Sequence, residues 1–173
     1  MSNEKQNAFK PMLAALSSGE EQQIISAIGQ LRKKGNATTV QAVIDVLLQQ
    51  PSPLIESEIN SYLNDLQDDA AIQPLIDSIG DYRFKPYKAM LIAAFWQSAI
   101  DASDHLLFFI EQLEEASYEE LLEIITVIEN LNGPFVETEI MESISRLNEF
   151  VYEAEDEEKR NLLESLNEVL NQL

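Results

Sequence analysis

Apolar residues recur along this chain three and four positions apart almost from end to end, the spacing that lines one face of a helix. Period-two alternation never runs for long, so strands are not expected. The clearest unit is Asp68 to Asp81, which reads as one short amphipathic helix. Ile72, Leu75, Ile76 and Ile79 form its apolar face, Gly80 closes it, and Pro74 makes it start late or bend in its first turn. Weaker copies lie on either side. Upstream, a helix falls within residues 4–17, with a fresh start open at Pro11. Ser18-Gly19-Glu20-Glu21 has the spacing of a capping box, followed by a helix carrying Ile24, Ile25, Ile28 and Leu31 and stopping at Gly35. Another covers about 38–50, with Val40, Val43, Ile44, Leu47 and Leu48 on one face. Ser52 then caps a helix that Pro53 opens, because proline lacks an N–H that the first helical position does not need.

Downstream, helices open at Pro86, at Ser103 and at a second capping box, Ser117 to Glu120. Gly133-Pro134 ends the last of these and begins one reaching about residue 152, and a final helix covers about 156–172. The first helices of successive pairs start near Ser18, Ser52, Lys85 and Ser117, a period of thirty-odd residues. A repeat of that length signals a solenoid, in which hairpins too thin to bury their own apolar faces stack into a common core. Short connections favour antiparallel neighbours.

Two stretches carry a family resemblance. Ala71-Ile72-Gln73-Pro74-Leu75-Ile76-Asp77-Ser78-Ile79-Gly80-Asp81 resembles the second helix of a HEAT repeat, especially the short bacterial kind. Ala27 to Leu31, followed by Val40 to Leu48, resembles the helix pair one repeat earlier. The likeness covers residues 18–115 and departs from the family in lacking the usual first-helix arginine. It implies an all-α fold, a right-handed α-α superhelix of about four helix pairs with extra terminal helices, as one armadillo-like domain over residues 1–173. It also implies use in protein recognition. Some relatives are lyase-like enzymes or attach chromophores, and no motif for either is visible.

Composition sharpens this picture. Apolar residues make up 45% of the chain, enough for a full core. The formal net charge is −20, from 11 Lys and Arg against 31 Asp and Glu. It is uneven: residues 1–110 hold 13 acids and 8 bases, and residues 111–173 hold 18 acids and 3 bases. Such a field repels phosphate backbones and anionic lipid, so neither nucleic acid nor a membrane surface is an expected partner. Cysteine is absent, which excludes disulfides and thiolate metal sites and suits a reducing compartment. Met1 to Asn7 is polar and unlike a secretory leader, and the longest apolar run, Ala89 to Trp96, is far short of the ~20 residues of a membrane helix. A cytoplasmic location is expected.

Catalytic signals are thin. His105 is the only histidine, with Asp101 and Asp104 nearby, whereas zinc sites draw on several His or Cys ligands. Ser18, Ser52, Ser103 and Ser117 are explained as helix caps. No Gly-x-Ser-x-Gly, phosphate loop or calcium loop is present. Paired carboxylates abound, but acid–base work needs carboxylates in contrasting surroundings, which a solvated helix face does not supply. Glu155 with Lys159 and Asp156 with Arg160 have the spacing of ion pairs on a helix.

The best surface candidate is the loop from Tyr82 to Lys88. Arg83, Lys85 and Lys88 sit there beside Phe84 and Tyr87, an aromatic and basic island in an acidic molecule, and such residues anchor interfaces. The bland alternative is a turn whose cations face a helix C-terminus. Phe95 and Phe109 fall at core spacing. Trp96 and Phe108 lie beside the core stripe, where both roles are open, and Trp96 joins the candidate set. Arg32-Lys33-Lys34 is a second basic cluster, expected on the opposite edge of the stack. The last helix carries a broad apolar face from Leu162 to Leu173, with Glu164, Glu168 and Gln172 giving a polar outer side fit for a cap. The expected function is a non-enzymatic interaction module without a cofactor, a monomer or weak homo-oligomer whose acidic surface meets a basic protein. The alternatives are an enzyme or enzyme accessory using groove carboxylates, and a structural homo-oligomer.

Overall fold

A computed structural model describes residues 2–32 and 37–173. Every regular element among the described residues is helical, with ten α-helices, four 3-10 segments and no strand. By contact density the chain divides into two compact units, one ending at Ile100 and the other beginning at Asp101.

The first unit holds α1 (Ser2–Leu16), α2 (Glu21–Arg32), α3 (Ala37–Asp45), α4 (Pro53–Asn64), α5 (Ile72–Gly80) and α6 (Lys88–Gln97). Helices two apart in sequence lie against each other: α1 on α3 on α5, and α2 on α4 on α6. The rows are joined where α1 meets α2 and α5 meets α6. The apolar stripes fill the space between, with Ile28, Leu31, Ile44, Leu47, Ile59, Leu63, Leu75, Leu91 and Ile92 fully buried. At the far end of this unit the Ala99 N–H donates to the Leu66 carbonyl (2.9 Å), tying the exit of α6 to the exit of α4.

α1 runs unbroken through Pro11, so no fresh start occurs there. Ser18 is not the cap of α2. Gly19 takes a left-handed turn (φ 75°) and delays the helix to Glu21, leaving the Ser18 hydroxyl to accept from the Glu20 N–H (3.2 Å). The expected stop at Gly35, and Lys33 and Lys34 of the basic cluster, lie outside the described residues. α3 tightens into a 3-10 turn over Val46–Gln49, which buries Val46 and Leu47 and ends in left-handed Gln50 (φ 53°) ahead of Pro51. Ser52 caps α4 as expected, accepting from the Ile55 N–H, with Pro53 in the first helical position.

The Asp68–Asp81 stretch starts late, in the sense Pro74 required. Asp68 caps a 3-10 turn at Asp69–Ala71, and α5 begins at Ile72 with Pro74 in its first turn. Ile72, Leu75 and Ile79 are buried, and Ile76 is half-buried. α5 ends at Gly80, yet not through a left-handed glycine, since Gly80 is absent from the positive-φ residues.

The second unit holds α7 (Leu106–Glu111), α8 (Tyr118–Asn130), α9 (Glu137–Glu153) and α10 (Glu157–Leu170). The n to n+2 pattern recurs: α7 packs on α9 and α8 on α10, with α7 against α8 and α9 against α10. Leu106, Phe109, Ile110, Leu113, Leu121, Ile124, Ile128, Leu147, Leu163 and Leu166 form its core. The predicted box at the head of α8 is present in full: Ser117 accepts from the Glu120 N–H (3.3 Å), and Glu120 accepts from the Ser117 N–H (2.8 Å). α9 starts at Glu137, three residues beyond Pro134, because Leu131 to Val136 runs outside any helix. Among the described residues no helix is long and apolar enough to cross a membrane.

Candidate functional site

The Tyr82–Lys88 candidate is not a loop. Asp81 caps a 3-10 helix over Tyr82–Tyr87 that runs directly into α6. With three residues per turn, side chains three apart share a face. That period sorts the candidate residues. Phe84 and Tyr87 point inward: Phe84 is 2% exposed, and the half-buried Tyr87 hydroxyl reaches Glu56 of α4 (3.4 Å). Burial, reinforced by the Glu56 carboxylate, pushes the Tyr87 pKa up. Tyr82, Lys85 and Lys88 share a second face, where Tyr82 is 84% exposed, Lys85 is exposed and Lys88 is half-buried.

Arg83 lies on the third face, exposed but engaged. Its Nε donates to both Asp81 oxygens (3.1 and 2.9 Å) and its Nη2 to Oδ2 (2.6 Å). Asp81 also accepts from the Arg83 backbone N–H (2.9 Å). These bonds hold the Asp81 pKa below its ordinary value, the guanidinium side chain contributing most. Trp96 is 38% exposed but eight residues beyond Lys88 on α6, about 12 Å along the axis at 1.5 Å per residue. The fold therefore splits the predicted set. Phe84 is a core anchor, a correction to its place among the surface candidates. Arg83 is occupied by Asp81, and Trp96 stands apart at the other end of its helix.

The remaining candidates resolve locally. Asp101 precedes the helix, and its carboxylate accepts from both the N–H (3.0 Å) and hydroxyl (2.6 Å) of Ser103, which lowers its pKa. Ser103 is no simple cap. It is buried in a 3-10 turn, Ser103–His105, and its oxygen accepts from the N–H groups of Asn132 (3.1 Å) and Gly133 (3.2 Å). No group of three or more His, Cys, Asp or Glu among the described residues is placed to hold a metal ion. Phe108 is half-buried, edge-on to Phe109 at 5.3 Å.

In the second unit the structure shows where the charges lie, which the sequence did not. Its span contains 20 acids and 3 bases, against 11 acids and 8 bases up to Ile100. Seventeen of the 20 acids are exposed; Glu120, Glu123 and Glu139 are the exceptions. All three bases are half-buried and committed to helix joints. Arg146 bonds Glu149 (2.7 Å), Glu111 (3.1 Å) and Glu114 (3.3 Å) and stacks 4.6 Å over the Phe150 ring. Its bonds to Glu149 and Glu111 raise its pKa. The expected pairs of Lys159 and Arg160 with Glu155 and Asp156 give way to backbone. The Lys159 ammonium donates to the Ala116 carbonyl (3.4 Å), and Arg160 donates to the Ala154 carbonyl. Asp156 instead caps α10 by accepting from the Lys159 N–H (2.7 Å). Ala154 is the C-cap of α9, where a carbonyl without a helical partner attracts a cation, while Ala116 lies in the connection just before α8.

Comparison with family models, with curated proteins and with solved structures gave no match.

Proposed function

We propose that this chain is a HEAT-like α-solenoid, a single repeat domain working as a non-enzymatic protein-recognition module, and that its acidic C-terminal unit receives a basic protein partner. The observation that carries this is the uncompensated charge of that unit, with seventeen exposed acids and its three cations drawn into helix joints. Complementary charge of this kind steers encounter and selects a partner more than it tightens the complex. The n to n+2 packing within each unit supports the solenoid reading, since stacked hairpins produce that pattern. A cytoplasmic setting fits a cysteine-free chain.

The enzyme alternative asks for a carboxylate with a raised pKa to act as an acid. Asp81 and Asp101 are instead both lowered and both bonded to neighbours two residues on, which suits neither to that role. A salt series tests it. A partner captured from the source cell at about 50 mM sodium chloride should be released by about 500 mM, as the screening length contracts. Binding that stays constant across the series overturns the charge-led reading.

A further inference from the structure

Where α9 turns into α10, the second unit contains a pocket of 360 Å³, at the small end of the ~300–1,000 Å³ typical of ligand sites. Its floor is apolar: Leu113, Phe150 and Ala154, all buried. Its rim is anionic: Glu153, Glu155 and Asp156 are exposed, and Glu114 is shared with Arg146. One cation, Lys159, also lines it, with its ammonium turned to the Ala116 carbonyl. An apolar floor under a carboxylate rim suits a side chain with a hydrocarbon stem and a cationic head.

The molecule already shows what such surroundings hold. Beside the pocket, the chain's own Arg146 lays its guanidinium over the Phe150 ring while Glu111, Glu114 and Glu149 take its N–H groups. The pocket shares Phe150 with that arrangement and adds carboxylates of its own, Glu153 at the end of α9 and Glu155 and Asp156 in the turn that follows. A guanidinium fits them better than an ammonium, because it is planar, offers paired donors to carboxylates and sheds water more easily over apolar surface.

We infer that this pocket seats an arginine side chain from a basic segment of the partner protein, with Glu153 and Glu155 gripping the guanidinium over the Phe150 and Ala154 floor. This rests on the protein-recognition reading above and gives it an address.

The test uses the whole chain, a short arginine–glycine peptide and its lysine counterpart, with binding followed by calorimetry at low salt. Two variants of equal net charge are compared. E153Q/E155Q neutralises the rim. E137Q/E142Q neutralises exposed acids on the same helix, Glu137 lying sixteen residues, or about 24 Å, from Glu153. The rim variant should lose about tenfold in affinity and the distant variant less than about twofold, with arginine preferred to lysine in the parent chain. Amide resonances of residues 153–156 should move on titration. Equal losses in the two variants, or no preference for arginine, overturn the pocket while leaving field-driven recognition standing. Failure of the parent chain to bind either peptide overturns both.

Discussion

Phe84 and Tyr82 stand two positions apart and have opposite fates, one 2% and the other 84% exposed. A buried phenylalanine truncated to alanine loses its transfer energy and leaves a cavity. Phe84→Ala should therefore destabilise the protein by about 3–5 kcal/mol, and Tyr82→Ala by less than about 0.5 kcal/mol, measured by urea unfolding. The same segment makes a pH prediction. The Arg83 guanidinium holds Asp81 below its ordinary 3.8. A lowered carboxylate pKa contributes stability above the unfolded value and loses it as pH falls through the folded one. Followed by NMR, the Asp81 carboxylate should titrate below 3.8, and Arg83→Gln should return it upward. A normal titration in the parent chain would show that the pair does not form in solution. At this scale the sequence exposed which residue types were present, but not which of Arg83, Phe84 and Lys85 would face in. That assignment depends on a 3-10 period of three, which the 3.6-period reading of neighbouring segments cannot reveal.

Helix ends discriminate between two serines that look alike in sequence. Ser117 closes a reciprocal box with Glu120, whereas Ser18 lies outside α2 behind a left-handed Gly19. Ser117→Ala should cost about 1 kcal/mol and Ser18→Ala a few tenths or less, a contrast readable in thermal midpoints. Equal effects would contradict the late start of α2. Two glycines differ in the same way. A Cβ on Gly133 would strain a φ of 67° and meet the Phe135 ring at 3.1 Å, while one on Gly29, inside α2, would meet nothing within 4 Å. Gly133→Ala should destabilise by about 1–2 kcal/mol and Gly29→Ala should stabilise by about 0.5–1 kcal/mol. Helix existence was legible because each apolar stripe is a local pattern. The true heads of α2 and α9 were not, because a single left-handed residue or a short extended run moves a start by two or three residues without changing the stripe.

Over the whole molecule, charge is the governing quantity. The span from Asp101 carries a formal −17 and the span before it −3. Like charges on a folded unit repel more than on an expanded chain, and salt screens them. Raising sodium chloride from about 10 to 300 mM should therefore raise the thermal midpoint by several degrees, checked by calorimetry. A midpoint that falls would mean the few ion pairs, chiefly those of Arg146 and Arg32, outweigh the repulsion.

The amino-acid sequence alone determined that the chain is helical, where the apolar stripes lie, and that negative charge gathers toward its C-terminal end. Those are sums and periods, complete in one dimension. Tertiary structure decided the rest: which helices lie two apart, that Phe84 is core, that Ser103 gathers the backbone of Asn132 and Gly133, and that Lys159 and Arg160 answer carbonyls rather than carboxylates. A cation chooses among acceptors by distance in space, and distance in space is known only once the helices have packed.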